Sequence, residues 1–328
     1  MNIKSIAPLL FLLVLGGAAY YFTQSDHKNQ NNPNEDWVMK VEDKDDIYRI
    51  FIADRKGGKA DLVKDGDDWI YNGKYKANPY VMYNVLDAIT RIEMKNRPTA
   101  SAIPHMINTL SSQSTKVEVY GRNNKLLKAY YVGGVTPDER GTFMILEGSE
   151  NPYIMYLPMA EVSLKQRYFT SERKWRDKTV FEFQAKDVAS ISLEYPKQKN
   201  KSFTIQRKNG AWDVAPFFQT TKRMDKPVNQ DLVESYLNGF KRVGAEAFET
   251  NNETVKTATA SKQFCIIKVL FKDDTRQEVN FFPILKFTEG SETPQPITKY
   301  IAIDNKDNIY MTQQLVFKDA FWAYDFFF

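Results

Sequence analysis

The sequence has few of the residues that most often bind metals or carry out catalysis. It contains one cysteine and two histidines. Cys265 cannot form an internal disulfide, and its apolar, strand-like surroundings predict a buried side chain instead of a reactive thiol. His27 and His105 have no partner at metal-ligand spacing, which argues against a zinc site or a histidine-dependent triad. We therefore expect no metal, no cofactor and no enzymatic activity.

Two further classes of site are missing. Gly133-Gly134 lacks the downstream glycine and lysine of a phosphate-binding loop. Lysine and arginine total 45 against 41 aspartates and glutamates. Because this small excess is spread along the chain, we expect no nucleic-acid partner.

Long apolar runs are also scarce, and the one at the amino terminus therefore stands out. Ile6 to Phe22 is uncharged, follows Lys4 and precedes Asp26, which favours an amino terminus in the cytoplasm. Gly17-Ala18-Ala19 leaves a cleaved signal peptide as the alternative. The aromatic residues Tyr20 to Phe22 favour a transmembrane signal anchor over residues 1–22. We expect a single-pass protein of the inner (cytoplasmic) membrane, with its bulk facing the periplasm and the helix in the lipid bilayer.

What the chain does have is an internal similarity over most of its remaining length. Two hairpins end in tryptophan, at Trp69 and Trp212, and each is followed by a helix that begins after an asparagine, Asn78 or Asn229. The first helix matches the second residue by residue, at the pairs Val81 and Leu232, Leu86 and Leu237, Ile89 and Phe240, Arg91 and Arg242, Ile92 and Val243. Such self-similarity is typical of a duplicated domain.

The duplication gives a plan for the whole chain. Apolar and polar residues alternate in the strands, which predicts antiparallel sheets with one buried face, and the helix should cover that face. We therefore expect an α+β fold of two tandem repeats, each a mostly antiparallel sheet covered by a helix, after the transmembrane helix. The predicted segments are a tether over 23–44, repeat 1 over 45–164, a connecting segment over 165–187 and repeat 2 over 188–328.

The tryptophan hairpins are interpreted as structural. Asp65, Asp67 and Asp68 resemble a calcium loop, but no glutamate closes the pattern and the second copy has Lys208, Gly210 and Ala211 there. Trp69, Tyr71, Trp212 and Phe217 could line a peptide or glycan groove. Their matched positions favour core packing.

Long loops at equivalent positions of the two repeats are the candidate binding regions, since loops on a rigid scaffold commonly carry function. They cover Gly133 to Gly141 and Pro283 to Ile297. The candidate partner-binding residues are Gly133, Gly134, Pro137, Asp138, Arg140, Lys286, Glu289, Pro294 and Pro296.

A basic run lies in the predicted connecting segment. Its candidate surface residues are Arg167, Arg173, Lys174 and Arg176, with Tyr168, Phe169 and Trp175 between them. This run could contact anionic lipid or an acidic partner. The simpler interpretation is a solvated connection in which the arginines stack on aromatic rings.

The features described above resemble an uncharacterised bacterial family built on a domain of unknown function. The resemblance rests on the Gly66-Asp67-Asp68-Trp69 hairpin, the Asn78-capped helix, Tyr131-Val132-Gly133-Gly134, the Tyr153 strand, and Trp175-Arg176-Asp177-Lys178 leading to Asp187-Val188. The resemblance implies a membrane-anchored envelope protein associated with auxiliary subunits of gliding-motility GldG-type ABC transporters. It implies no catalytic residue and no substrate.

Three functions remain to be compared. The first is a non-enzymatic scaffold or adaptor of an envelope membrane complex, for ABC transport, gliding or secretion. The second is a periplasmic ligand-binding module for a peptide or glycan, whose small ligand is unknown. The third is a hydrolase that pairs Asp138 and Glu139 with Glu289 or Glu292, although nothing in the sequence fixes their geometry. We favour the adaptor.

Overall fold

The computed structural model describes residues 36–160, 163–290 and 293–328. The predicted anchor over residues 1–22 and the first part of the tether lie outside these ranges. Within the described ranges, no helix combines the length and apolar character needed to cross a bilayer. The chain divides into two compact units, with the boundary between Arg176 and Asp177.

The first unit is built mainly of strands. Its strands are β1 (Arg49–Asp54), β2 (Lys59–Asp65), β3 (Asp68–Tyr71), β4 (Tyr75–Lys76), β5 (Glu93–Asn96), β6 (Thr115–Tyr120), β7 (Leu126–Val135), β8 (Thr142–Leu146) and β9 (Tyr153–Tyr156). Its helices are α1 (Pro79–Arg91), α2 (Ile103–Gln113) and α3 (Glu172–Trp175).

The second unit has the same kinds of element. Its strands are β10 (Thr179–Phe181), β11 (Val188–Glu194), β12 (Phe203–Lys208), β13 (Ala211–Pro216), β14 (Val243–Gly244), β15 (Ala247–Phe248), β16 (Cys265–Phe271), β17 (Arg276–Pro283), β18 (Lys299–Asp304) and β19 (Ile309–Gln313). Its helices are α4 (Gln230–Asn238), α5 (Asn252–Thr259) and α6 (Gln314–Phe317).

Each unit contains one large sheet in which neighbouring strands are antiparallel. The first sheet runs β4-β3-β2-β1-β6-β7-β8-β9-β5, and the second runs β13-β12-β11-β16-β17-β18-β19-β15. Apart from β4, the two orders correspond strand for strand. The expected α+β class with antiparallel sheets is therefore confirmed.

Alternation along the strands produces the buried face, as the sequence predicted. Ile50 and Ile52 of β1 are fully buried, as are Ile191 and Leu193 of β11. In each unit these side chains belong to one continuous apolar core. The alternate residues of these strands stay partly exposed, and the apolar face needs a cover.

Helices α1 and α4 supply part of that cover, and each begins directly after an asparagine. The Asn78 side chain accepts hydrogen bonds from the backbone amides of Tyr80 and Val81 at the start of α1. Asn229 accepts equivalent bonds at the start of α4. These caps satisfy amides that have no partner inside the helix. The predicted helix starts are correct.

The end of each unit folds back onto the start of its helix. The backbone amide of Asn78 donates to the carbonyl of Trp175 at 2.6 Å, and that of Asn229 donates to the carbonyl of Phe327 at 2.8 Å. The sequence similarity of Trp175-Arg176-Asp177-Lys178 to Trp322-Ala323-Tyr324-Asp325 predicts that Trp175 corresponds to Trp322. In this contact Trp175 corresponds instead to Phe327.

Because three exposed terminal phenylalanines would promote aggregation, the sequence predicts that they pack on the fold or on a partner. Phe327 is fully buried in the fold, while Phe326 is exposed.

Two predicted boundaries differ from the structure. The tether was expected to reach residue 44, but Met39 and Val41 are buried in the first core. The connecting segment over 165–187 does not form a separate element. Trp175 lies in the first core, and Phe181 lies in the second. Both differences arise because single large apolar residues inside polar stretches are buried.

The buried Phe327 should be essential for the stability of the second unit. Phe327→Ala is expected to lower the free energy of unfolding by about 3–5 kcal/mol, because it leaves a cavity among aromatic side chains. The matched variant Phe326→Ala, whose side chain is exposed, should change it by less than about 0.5 kcal/mol. Denaturant titration of the second unit's transition checks both. Equal effects of the two variants would contradict this packing.

Candidate partner-binding site

The first predicted loop is shorter and more ordered than the sequence suggested. Gly133 and Gly134 lie inside β7, so the loop begins only after Val135. The amide of Thr136 donates to the carbonyl of Gly141 at 2.9 Å, which closes a tight turn containing Pro137 and Arg140. Most of the predicted loop is therefore a strand end and a closed turn.

Polar contacts hold this turn in place. Lys95 of β5 forms an ion pair with Asp138 at 2.8 Å. Asp138 also accepts hydrogen bonds from the hydroxyl of Thr136 and from the amide of Arg140. The bond from Lys95, followed by these two, holds the pKa of Asp138 well below its usual range.

Gly133 and Gly134 have a packing role against α2. A Cβ atom at Gly133 would lie 2.8 Å from Leu110 Cδ2, and one at Gly134 would lie 2.8 Å from Thr109 Cγ2. Both distances are shorter than van der Waals contact, so the glycines allow α2 to lie directly on β7. The two glycines are therefore explained by the close packing of α2 on β7.

The second predicted loop forms a hairpin-like arm, defined here as residues 284–290 and 293–297. The amide of Gln295 donates to the carbonyl of Lys286 at 2.7 Å, and Phe287 and Pro294 form an isolated bridge. Gly290 adopts a positive φ of 76° near the tip. Glu289 lies beside this tip, and Pro296 lies where the arm returns towards β18. The arm is thus held by backbone contacts.

A groove lies between this arm and helix α5. It has a volume of about 410 Å³, which is within the range of known ligand and peptide sites. Pro283, Ile284, Leu285 and Phe287 line it from the β17 end and the arm. The helix side contributes Glu253, Thr254, Thr257, Ala258 and Ser261.

The arm leaves large apolar side chains in contact with solvent. Leu285 is 39% exposed and Phe287 is 55% exposed. Ala258, on the helix side, is buried. The groove is therefore an apolar floor with a polar edge of threonine, serine and glutamate side chains. Such a surface can bind an apolar segment of another protein.

Strand register explains why the first unit lacks this groove. Val117 pairs with Tyr130, and Ile267 pairs with Val279, so the two pairs occupy equivalent places. Three residues further on, the first unit has Gly133 and the second has Phe282. The next residues are Gly134 and Pro283. The second unit therefore has larger residues at the positions where two glycines let α2 lie on β7 in the first unit.

The sequence did not predict helix α5, although a signal was present. Asn251 accepts hydrogen bonds from the amides of Glu253 and Thr254, which is a standard helix start. An asparagine followed by Asn-Glu-Thr could have indicated it. Residues 252–257 are mostly polar, and Ala258 is the one buried residue of this helix. The sequence therefore shows no apolar stripe that would indicate a helix.

The predicted basic run is largely occupied by local contacts. The Arg176 guanidinium lies 3.9 Å from the Tyr75 ring centroid and forms an ion pair with Glu172. The Lys174 ammonium lies 5.0 Å from the Phe169 ring centroid. Arg173 is exposed on α3, and Arg167 is half-buried. The stacking of basic side chains on aromatic rings agrees with the simpler interpretation of the run.

The other candidate residues have ordinary structural positions. Trp69, Tyr71 and Trp212 are buried, as the core interpretation predicted, whereas Phe217 is partly exposed. Cys265 is a buried free cysteine, and burial raises the pKa of its thiol well above the usual value. In the ranges that the structure describes, no group of three or more histidine, cysteine or acidic residues could hold a metal ion. Glu292 of the hydrolase hypothesis lies outside those ranges.

Comparison with known families gives one match. A family model described as "Domain of unknown function (DUF4340)" matches residues 72–263, more than half of the chain. The chain belongs to the DUF4340 family. No curated protein and no solved structure shows a significant match. The matched range begins after β3 and ends before β16, and it includes α5 but stops short of the arm.

The ion pair in the first turn of this DUF4340 protein predicts a measurable titration. The pKa of Asp138 is lowered, so its ionised form stabilises the turn above the ordinary aspartate pKa of about 3.9. That stabilisation is lost as pH falls through the lowered folded-state pKa. Lys95→Gln should raise the pKa of Asp138 towards its ordinary value in a carboxyl-carbon NMR titration. Lys125→Gln serves as the control, and an unchanged Asp138 titration in Lys95→Gln would contradict the ion pair.

Proposed function

We propose that this DUF4340 protein is a non-enzymatic scaffold or adaptor that binds a protein partner through the arm of its second unit. The observation that carries this proposal is the exposure of Leu285 and Phe287 on an ordered arm beside the groove. Solvent-exposed large apolar side chains that are grouped beside a groove are typical of protein contact sites.

The order of the arm supports binding over a purely solvated loop. Ile284 donates its amide to the carbonyl of Lys299, and Gln295 donates to Lys286. The Gln295 side chain also donates to the hydroxyl of Thr288 at 3.1 Å. Because these contacts hold the arm before a partner arrives, little conformational entropy would be lost on binding.

We place the protein in the cell envelope on the basis of the amino-terminal sequence. Residues 1–22 would anchor it in the inner membrane, and the polar residues that follow would hold the folded units on the periplasmic side. The partner would then be a membrane complex. An ABC transporter of the gliding-motility GldG type is the assembly that the sequence resemblance suggests.

We also propose that the two units arose by tandem duplication. The shared strand order and the equivalent asparagine caps support this. The hydrogen bond between the end of each unit and the asparagine that caps its helix also supports this proposal. Under this proposal one copy kept a tightly packed α2, and the other gained the groove.

Site-specific photocrosslinking tests the proposed binding site. A photoreactive phenylalanine analogue replaces Phe287 in the full chain, expressed in its native membranes. The matched control carries the analogue at Phe217, which is also partly exposed on the second unit. The proposal predicts a defined adduct with one membrane-complex subunit from position 287 and none from position 217.

Two variants make this result decisive. Leu285→Ser with an intact Phe287 analogue should reduce the adduct severalfold without changing the melting temperature, because Leu285 is partly exposed. Met159→Ser, which alters an exposed residue of the first unit, should leave the adduct unchanged. Equal adducts from positions 287 and 217, or no adduct from 287, would overturn the proposed site.

A further inference from the structure

A second cavity, in the first unit, lies between the β2–β3 hairpin and helix α1. Its volume is about 420 Å³, within the range of ligand sites. Trp69 and Asp67 line it from the hairpin, and Tyr83 and Asp87 line it from the helix. The remaining lining residues are Lys44, Asp68, Ala77, Pro79, Met82, Leu86 and Thr90.

The corresponding place in the second unit is closed by the chain's own side chains. The Trp212 indole donates a hydrogen bond to Glu234 of α4 at 2.7 Å. The Arg207 guanidinium lies 4.2 Å from the Trp212 ring centroid and pairs with Glu234 at 3.5 Å. A positively charged group therefore lies on the tryptophan, next to a carboxylate from the helix.

The two places are equivalent by register. Arg207 pairs with Trp212 across the second hairpin, and Lys64 pairs with Trp69 across the first. Glu234 is the fifth residue after the cap Asn229. Tyr83 is the fifth residue after the cap Asn78. The first unit thus has tyrosine and lysine where the second has glutamate and arginine.

In the first unit, neither Lys64 nor Tyr83 closes the cavity. The Lys64 ammonium lies 5.2 Å from the Tyr48 ring centroid and does not line the cavity. Tyr83 is 69% exposed. Trp69 is more than nine-tenths buried. The cavity consequently has an aromatic lining without the cation that covers the tryptophan in the second unit.

The charged residues of the cavity favour a cation. Asp67, Asp68 and Asp87 line it against one lysine, Lys44. Asp68 pairs with Lys76 and Asp87 with Arg91 at the surface. Lys76, Asp68 and Arg91 are each more than a third exposed, so these pairs contribute little, and a ligand cation can compete for the two carboxylates.

We propose that this cavity binds an arginine side chain of a partner polypeptide. The guanidinium would lie between Trp69 and Tyr83, as Arg207 lies on Trp212, and the aspartates would balance its charge. Arginine is favoured over lysine because its planar group stacks on aromatic rings and bonds carboxylates through several donors. The site is separate from the arm groove, so it goes beyond the proposed function.

Titration of the full chain with short peptides tests this assignment. The probes are acetyl-Gly-Arg-Gly-amide, the lysine equivalent, and the citrulline equivalent, which keeps the shape of arginine without its charge. We expect saturable binding of the arginine peptide by calorimetry, weaker binding of the lysine peptide and none of the citrulline peptide. Equal binding of the citrulline peptide, tighter binding of spermidine, or no binding of the arginine peptide would overturn the proposal.

Matched tyrosine variants locate the binding. Tyr83→Ala should weaken binding of the arginine peptide by roughly two- to thirtyfold, the range for loss of one cation–π contact. Tyr80→Ala alters a tyrosine of equal exposure on the same helix that does not line the cavity. It should leave binding unchanged, and an equal loss in both variants would contradict the site.

A closing variant provides a test that does not depend on damage to the fold. Lys64→Arg combined with Tyr83→Glu reproduces in the first unit the residues that close the second. This double variant should abolish binding of the arginine peptide and raise the melting temperature. Retained binding with an unchanged melting temperature would overturn the equivalence on which the assignment rests. Photocrosslinking at position 287 should be unaffected, so this result is independent of the arm.

Discussion

The need to cover one apolar face of an antiparallel sheet determines most of this structure. Ile50 and Ile52 in the first unit, and Ile191 and Leu193 in the second, all point to one side of their sheets. Helices α1 and α4 cover part of that side, and Trp175 and Phe327 belong to the same cores. The chain therefore returns, and the carbonyl of Trp175 or Phe327 accepts a hydrogen bond from the asparagine that begins the helix. In each unit, one hydrogen bond therefore joins the end of the unit to the start of the helix that covers the sheet.

This shared framework allows the two units to differ elsewhere. In the first unit, two glycines let α2 lie on β7. In the second, Phe282 and Pro283 occupy the equivalent positions, and a groove remains beside α5. The reverse holds at the tryptophan hairpins, where Arg207 and Glu234 close the second unit while the first stays open. At these two pairs of equivalent positions, each unit has one closed and one open place, and the open places are where binding is proposed.

Sequence reasoning succeeded where the signal is local. The asparagine caps, the tryptophan hairpins and the period-two strands depend on neighbouring residues, and they were predicted at the correct positions. It failed where a distant contact decides the outcome. Met39 and Trp175 looked like parts of a tether and a connection, but each is buried by residues far away in sequence.

At the candidate site, too, the features set by distant contacts could not be predicted from the sequence. The first loop begins only after Val135, later than predicted. The sequence could not show that this loop is a closed turn and the other an ordered arm, because backbone pairing across each loop decides this. The match of Trp175 with Trp322 followed residue identity. Position in space instead matches Trp175 with Phe327, because the carbonyl of each accepts a hydrogen bond from the asparagine that begins the helix.

Hydrogen–deuterium exchange would test the central claim, that the arm and α5 form the partner-binding surface, most directly. The purified protein would be compared with the same protein in its gently solubilised native membrane assembly. The account predicts slower amide exchange in the assembly for residues 252–261, 284–290 and 293–297. Unchanged exchange in these segments, together with slower exchange elsewhere in either unit, would contradict it.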